Sequence, residues 1–340
     1  MKTINSSYFI GLALFFIAIF FPAMLLQDWR IADQAGVLEL TRMYDGAVHA
    51  AVQDAAFALH INEYQQYEAG YDSFKHFRAN KERALEQFYE TLFTNFDVSG
   101  DGVGQQVLLG HIPVIAVTDY DGYWIHAYGE IRNSDGELES KPLWHAKKPY
   151  AHADALGNSV SFTLDDYVHA FDATTDRWYE GKRERVNEAT GQRIPLLADA
   201  GQFEQVRRTT IVNTLQADLA HYINFHNTHA RKLGITYTFT LPLVGQEDWN
   251  NTVDDIGFIA FIQGLPMGVH DYNNFAFGGG RLVKRPVVYG AIRDGIRIYY
   301  RSWCGERDAI LKTFTSEKEA AAQGYFPRPC PNGPVTAILN

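Results

Sequence analysis

The chain opens with an apolar run over residues 8–26 that contains no charged side chain. About 20 apolar residues are enough for an α-helix to cross a bilayer. The pattern predicts an uncleaved signal anchor, with residues 1–7 as a cytoplasmic head and the bulk of the chain outside the cell. A cleaved secretory signal and a buried helix of a soluble protein are the alternatives. Cleavage is disfavoured by the length of the run and by Phe21, where a small residue is usual.

Helical patterns follow the apolar run. Residues 31–59 are rich in Ala, Leu, Glu and Gln and contain no proline, which predicts that the membrane helix continues unbroken. An aromatic linker over residues 64–77 completes a juxtamembrane region, residues 27–79. Asn80 is a suitable N-cap for a second helix that ends near residue 95.

From residue 111 onward, the period of the apolar positions becomes that of strands. Asp119-Tyr120-Asp121-Gly122 separates two β-branched and aromatic runs and predicts a hairpin. A long helix over residues 202–232, closed by Gly234, interrupts the strands. Further strands are predicted over residues 159–163, 235–244, 254–264, 285–295 and 296–301.

Three remaining segments are interpreted as turns or loops. Asn133-Ser134-Asp135-Gly136 is a turn, residues 174–190 form a polar surface excursion, and Gly278-Gly279-Gly280 is a mobile loop. Helices followed by strands, then one helix followed by strands, predict an α+β fold with a mainly antiparallel sheet. We expect an extracytoplasmic domain over residues 80–298 and a small module over residues 299–340.

The composition fits an exported globular body. Of the 340 residues, 46% are hydrophobic, which supplies enough material for a core. The 40 acidic residues outnumber the 30 basic ones, so nucleic-acid binding is disfavoured. The 19 Tyr and 22 Phe suit contact faces and a well-packed core equally.

Both cysteines, Cys304 and Cys330, lie near the C-terminus. In an oxidising compartment, we expect one disulfide between them, closing a loop worth roughly 3 kcal/mol in the chain-entropy model. A structural zinc site is less favoured, because two thiols need further ligands and no histidine follows His270.

Common catalytic motifs are absent from the sequence, which has no G-x-S-x-G, H-E-x-x-H or C-x-x-C. Two carboxylates facing each other across a cleft would suit general acid–base catalysis, but turn and cap roles explain these residues more simply. We expect no catalytic residue and no cofactor, with an unrecognised enzyme as an alternative. The carboxylates considered are Asp119, Asp121, Asp165 and Asp166.

One loop has the spacing that opens an EF-hand calcium site. Asp97, Ser99 and Asp101 occupy its first, third and fifth positions, and Gly102 its sixth. Leu108 stands at the twelfth position, where a bidentate Glu completes calcium coordination. An ordinary connecting loop is therefore the favoured interpretation.

Two histidines of the long predicted helix are candidate metal ligands. At about 100° per residue, His226 and His229 fall inside its apolar stripe, whereas His221 lies outside. They would hold a metal ion with a third ligand from the sheet. Core histidines bonded to backbone carbonyls are the favoured alternative. The stripe comprises Ile211, Leu215, Leu219, Tyr222, Ile223 and Leu233.

The juxtamembrane helix carries many small residues, among them Ala47 and Ala51. Small residues allow close approach of two helices. We therefore expect residues 31–59 to pack against a second copy or a partner helix, with Ala47 and Ala51 in the contact. The expected partners are the lipid bilayer and other envelope or pilus-type subunits.

The last 40 or so residues contain Tyr299-Tyr300-Arg301-Ser302-Trp303-Cys304, Phe314-Thr315-Ser316 with Glu319-Ala320, Gly324-Tyr325 and Cys330. This tail resembles the metal-binding module of Ada-type alkylation-response proteins, which has the form Y-H-x-x-x-C, F-x-S-x-x-E-A, G-Y-x-P-C-x-x-C. The resemblance implies a small folded tail. Tyr300 replaces the histidine and the final cysteine is missing, so a disulfide fits better than zinc.

The larger part contains NKERA at residues 80–84, PVIAVTDYDGYW at 113–124 and FTLDDYV at 162–168. With the N-terminal span, these segments resemble uncharacterised single-pass extracytoplasmic proteins of Gram-positive bacteria, some associated with tight-adherence pilus or secretion clusters. The resemblance implies a non-enzymatic, membrane-anchored envelope protein, pilin-like or an assembly component. An extracytoplasmic ligand-sensing or carbohydrate-interacting domain is the alternative.

Overall fold

The computed structural model describes residues 6–60, 71, 73, 78–232, 234–242, 249, 254–279, 288–301, 309–314 and 317–328. Its helices are α1 (Ser6–Leu59), α2 (Lys81–Asn95), α3 (Gly102–Gly110), α4 (Arg183–Ala189), α5 (Ala200–Lys232) and α6 (Glu317–Ala322). Its strands are β1 (Ile115–Asp119), β2 (Gly122–Arg132), β3 (Leu138–Trp144), β4 (Lys148–Ala153), β5 (Ser159–Phe162), β6 (Tyr167–Asp172), β7 (Arg177–Lys182), β8 (Gly257–Met267), β9 (His270–Gly279), β10 (Val288–Arg293), β11 (Ile296–Arg301), β12 (Lys312–Phe314) and β13 (Phe326–Pro327). A short 3-10 helix covers Pro195–Leu197.

The described strands form two sheets. The larger has the order β7-β6-β5-β4-β2-β1-β8-β9, with β3 paired to β2, and all its pairs are antiparallel. The smaller has the order β12-β10-β11-β13, in which only β11 and β13 are parallel. The predicted α+β class with a mainly antiparallel sheet is confirmed. The predicted boundary at residue 299 falls inside β11.

Helix α1 is a single helix of 54 residues, so the predicted continuation of the apolar run is confirmed. It is the one described helix long and apolar enough to cross a membrane. Its described side chains from Leu14 to Gly36 are exposed, whereas its second half buries a stripe at the three- and four-residue spacing of an amphipathic helix. The buried stripe comprises Ala47, Val48, Ala51, Val52, Ala55 and Ala56.

The large sheet is covered by helices on both faces. Trp124, Phe258 and Gly278 share one face through the strand register, and the ring of Phe88 in α2 lies 5.2 Å from that of Phe258. On the other face, Tyr123 donates a 2.7 Å hydrogen bond to Asp218 of α5. This double cover explains why β1 is buried along its whole length and β8 at every position but Pro266, with apolar residues facing both sides of the sheet.

Several sequence predictions are confirmed locally. Asn80 caps α2 by accepting a hydrogen bond from the backbone N–H of Arg83. The turn at Tyr120-Asp121 joins β1 to β2. Helix α5 agrees with the predicted long helix, and Gly234 follows it with a φ of 83°. Of the predicted linker over residues 64–77, the structure describes only Tyr71 and Ser73.

The predicted strand over residues 235–244 is wrong within its described part, because residues 235–242 pair with no strand. Buried amide side chains satisfy this backbone instead. Asn227 of α5 bonds both the N–H and the C=O of Phe239, at 2.7 and 2.8 Å. Gln263 of β8 does the same for Thr240, at 2.9 and 2.5 Å. Backbone groups that find side-chain partners need no sheet neighbour.

Two segments interpreted as loops contain regular structure. Residues 174–190 include β7, an edge strand, and α4. Gly278 and Gly279 end β9, while Gly280 lies outside the described residues. A Cβ on Gly278 would lie 2.5 Å from the carbonyl oxygen of Val52 and 2.9 Å from the Cβ of Ala56. Glycine is therefore required for β9 to approach α1.

We predict that Gly278→Ala lowers the free energy of unfolding by about 1–3 kcal/mol, because the added methyl group forces β9 away from α1. Gly279→Ala is the matched control, since a Cβ there meets only the Ile256 carbonyl oxygen at 3.5 Å, an ordinary contact. Urea unfolding of both variants measures the difference. Equal losses would show that the close approach to α1 has no energetic role.

Candidate functional site

The most concentrated polar cluster of the described chain lies at the β1–β2 turn. Asp119 ends β1, Asp121 belongs to the turn, and Lys147 precedes β4, which pairs with the start of β2. The Lys147 ammonium lies 2.8 Å from Oδ2 of Asp119 and 2.5 Å from Oδ1 of Asp121. The structure therefore brings together two carboxylates that the sequence analysis considered and adds a lysine between them.

Backbone groups hold Asp119 from its other side. Its Oδ1 accepts hydrogen bonds from the N–H of Tyr120 at 2.8 Å and from the N–H of Ala79 at 3.3 Å. The Tyr150 hydroxyl donates to its carbonyl oxygen at 3.2 Å. Only 1% of the Asp119 side chain is exposed. The Asp119 carboxylate is therefore buried and joins neighbouring parts of the chain through its hydrogen bonds.

Asp165 forms a second acceptor centre beside the first. Its Oδ1 accepts from the hydroxyls of Tyr120 and Thr163, both at 2.8 Å, and its other oxygen accepts from the Ser73 hydroxyl. The Tyr71 hydroxyl donates to Oδ2 of Asp121 at 2.5 Å. Tyr71 and Ser73 thus place one stretch of chain across both carboxylate centres. Asp166 is not part of these contacts.

Burial and charge set the ionisation of the cluster. Burial raises the pKa of Asp119, and the neighbouring Lys147 opposes this effect. Burial acts in the same sense on Asp121, but Lys147 and the Tyr71 hydroxyl outweigh it and hold the pKa of that carboxyl below its usual range. Burial opposes the charge of Lys147, yet the two carboxylates raise its pKa. The lysine is therefore the charge on which both carboxylates depend.

The cluster continues into α5 through Arg207, whose side chain is only 3% exposed. Its guanidinium donates to the carbonyl oxygen of Thr163 at 3.3 Å and to Glu204 at 2.7 Å. Arg208 adds a 2.8 Å contact to Asp254, which precedes β8. The polar network therefore links the β1–β2 turn, α5 and the segment before β8.

This geometry favours a structural role over acid–base catalysis. A general acid or base must reach the proton that it transfers, directly or through a water molecule. Asp119 is buried, and the described oxygens of Asp119, Asp121 and Asp165 accept bonds from the chain's own donors. A buried network satisfied in this way rigidifies the elements that it joins.

The two candidate histidines differ in burial and in contacts. His226 is fully buried, and its Nε2 lies 3.0 Å from the carbonyl oxygen of Gly110. Burial lowers its pKa to about 4, so the ring is neutral at pH 7. His229 is half-buried, with its ring centre 4.0 Å from that of Tyr128. Among the described residues, no group of three or more His, Cys, Asp or Glu side chains is arranged to hold a metal ion.

The calcium-like loop connects α2 to α3. Asp101 is the N-cap of α3 and accepts from the N–H of Val103 at 3.0 Å. The Ser99 hydroxyl lies 3.2 Å from that of Thr94, and Asp97 has a φ of 56°. These three residues have local roles in ending one helix and beginning the next.

The residues proposed for helix packing lie inside this chain's own core. Ala51 is fully buried and Ala47 is 7% exposed. Helix α1 packs there against α2, β8 and β9, so a charge at either position tests folding as well as assembly. Cys304 and Cys330 lie outside the described residues.

The sequence analysis missed Lys147, Tyr71, Ser73 and Arg207, the residues that complete the cluster. Lys147, Tyr71 and Ser73 reach their carboxylates across 26, 50 and 92 positions of sequence, and Arg207 reaches the carbonyl oxygen of Thr163 across 44. The half-buried Lys147 has no local sequence signature, because no helix or strand period relates its position to that of the β1–β2 turn. Only the pairing of β4 with β2 brings Lys147 to Asp121.

We predict that Lys147→Met lowers the free energy of unfolding by about 3–5 kcal/mol, because Asp119 is then buried without a cation. Lys148→Met is the matched control: the Lys148 ammonium pairs with Asp218, but the Lys148 side chain is 47% exposed, so the loss of this pair should cost under about 1 kcal/mol. Urea unfolding at pH 7 compares them. Adding Asp119→Asn to Lys147→Met should recover part of the loss, and equal losses for the two lysines would contradict the role of the cluster.

Comparisons with known proteins found none that matches this chain. The chain has no match among protein-family models, among curated proteins or among solved structures. The function must therefore be argued from the geometry of the chain itself.

Proposed function

We propose that the chain is a non-enzymatic, membrane-anchored envelope protein, pilin-like or a component of pilus or secretion assembly, with its head outside the cell. The observation that carries this proposal is the continuity of α1. Its described apolar side chains from Leu14 to Leu26 are exposed, and one stripe of its C-terminal part is buried in the core of the head. One helix therefore joins an apolar span to a folded domain without a flexible joint.

The exposure pattern supports membrane insertion. The described large apolar side chains between Leu14 and Leu26 are 39–64% exposed, which is unfavourable in water over so long a stretch. Asp28, Trp29 and Arg30 follow within four positions of Leu26, and aromatic and basic residues are typical of the membrane–water interface. Transfer of the apolar stretch into lipid explains both features.

Helix α1 also sets the orientation of the head. The side chain of His270, at the start of β9, lies 3.7 Å from that of Asp33, and Gly278 lies against Val52. Strand β9 therefore runs along α1 for about 28 Å, given 1.5 Å per helical residue. The β1–β2 turn lies near the Gly278 end of β9 through the strand register, away from the apolar run. Its polar network stiffens the outer end of the head.

A ligand-sensing extracytoplasmic domain is the second candidate function. The described carboxylates at the outer end accept hydrogen bonds from the chain's own side chains and backbone, and a rigid, satisfied network suits a structural head. This supports the assembly role over the sensing role.

We predict that the mature protein keeps residue 1 and stays in the membrane fraction after an alkaline carbonate wash. The double variant Ile17→Arg/Phe21→Arg should fail to stay there, because each charge at the centre of a span costs about 2.5–3.5 kcal/mol. Met43→Arg is the control, an exposed apolar position beyond the run. A soluble form that begins near Met24 would refute the anchor.

We further propose a disulfide between Cys304 and Cys330. The described part of the smaller sheet has a small core, and small domains often rely on such a link. The bond would enclose β12, α6 and β13. Non-reducing mass spectrometry should find the two peptides joined, and Cys304→Ser should destabilise the tail by about 3 kcal/mol while the large sheet stays folded. Free thiols with stoichiometric zinc would contradict this.

A further inference from the structure

The ion pair of Lys147 and Asp119 lies in a site largely closed to water. The Lys147 ammonium is 2.8 Å from Oδ2 of Asp119, and the two side chains are only 18% and 1% exposed. The ring of Trp124 is centred 5.7 Å from the ammonium, and the fully buried Tyr150 donates to the carbonyl oxygen of Asp119. The fold therefore holds an amine and a carboxyl group in direct contact.

Such contact favours reaction between the two groups. Groups held in the correct geometry within one molecule react as if present at about 10⁵–10⁸ M. An amine and a carboxyl group condense to an amide and release water. A site that excludes water also protects the product from hydrolysis. The Lys147–Asp119 contact thus meets two requirements of amide formation.

The two carboxyl groups beside Lys147 are suited to different roles. Burial raises the pKa of Asp119, which favours its neutral acid, the more electrophilic form. Burial acts in the same sense on Asp121, but Lys147 and the Tyr71 hydroxyl hold the pKa of that carboxyl below its usual range. Oδ1 of Asp121 lies 2.5 Å from the ammonium and can accept its proton. Paired carboxyl groups whose environments differ in this way divide acid and base roles between them.

Two backbone N–H groups face the other oxygen of Asp119. Its Oδ1 accepts from Tyr120 at 2.8 Å and from Ala79 at 3.3 Å. Attack on the carboxyl carbon would place negative charge on this oxygen, and fixed N–H donors stabilise such a charge. Oδ2, on the lysine side, is then the oxygen that leaves.

We infer that Lys147 and Asp119 condense to an intramolecular amide bond, with Asp121 as the proton acceptor. The Lys147 ammonium passes one proton to Asp121, and its nitrogen bonds to Cγ of the protonated Asp119. The Asp119 hydroxyl leaves as water with a second proton from the nitrogen, so one proton remains on Asp121. The step needs no oxidant and no further reactant, and it is independent of the proposed membrane anchoring.

The bond would tie the end of β1 to the segment before β4 and enclose β2 and β3. Although burial opposes the charge of Lys147, the two carboxylates raise its pKa, so the reactive neutral amine is the minor form. We therefore expect the amide to form after folding and more slowly than folding. The ion pair is the precursor, and it persists in chains that have not reacted.

Peptide mapping by mass spectrometry tests for the bond. Folded protein, purified from its own cells and kept at pH 7 for several days, is denatured and digested with trypsin. The peptides that contain Asp119 and Lys147 should be joined, lighter by one water than their sum, and uncleaved after Lys147. Lys148 and Asp218 are the control pair, in contact at 2.7 Å but with Lys148 47% exposed, and should not be joined. Unjoined Asp119 and Lys147 peptides, or equal joining of the control pair, would overturn the inference.

Two variants separate the reaction from the ion pair. Lys147→Arg keeps the positive charge but has no primary amine, so it should give no joined peptide. Asp121→Asn should slow formation of the bond by about 10²–10⁴-fold, because the proton acceptor is lost. Near-ultraviolet circular dichroism checks that each variant is folded, and the map of the unchanged chain remains decisive if one is not. Undiminished joining in folded Asp121→Asn would overturn the role of Asp121.

Discussion

In the second half of α1, alanines and valines lie directly against β9, with Gly278 opposite the backbone of Val52. Such close contact requires small residues on both sides, and it places α1 beneath β9 and β8, at one edge of the large sheet. Helix α2 then packs beside α1, and Phe88 reaches Phe258 on the same face. Because α1 is one helix, this contact also fixes the head relative to the apolar run.

The polar network at the β1–β2 turn stabilises the fold in a different way. Burying Asp119 is costly, and Lys147 offsets that cost only because further donors satisfy the remaining oxygens. Such networks add little net stability, but they disfavour alternative packings in which a charge is left alone. The network therefore joins the β1–β2 turn to α5 through the contacts of Asp165, Thr163 and Arg207.

The sequence determined the features that depend on local chemistry. The continuous helix follows from a proline-free, alanine-rich run after an apolar one, and the α2 cap follows from Asn80. The β1–β2 hairpin follows from turn residues between two β-branched runs. The buried stripe of α5, with His226 inside it, follows from helical period. These features need only neighbours within a few positions.

Tertiary structure decided what depends on distant partners. Residues 235–242 have the composition of a strand, yet the side chains of Asn227 and Gln263 form hydrogen bonds with the backbone of this segment, at Phe239 and Thr240. The glycine run at Gly278 is typical of a loop, yet Gly278 lies in β9 and pairs with Phe258 of β8. Glycine is needed there because α1 leaves no room for a side chain. Lys147 meets Asp121 only because β4 pairs with β2. The local period of apolar positions indicates which face of a helix or strand is buried, but not which other element covers that face. The polar cluster at the β1–β2 turn depends on those tertiary contacts.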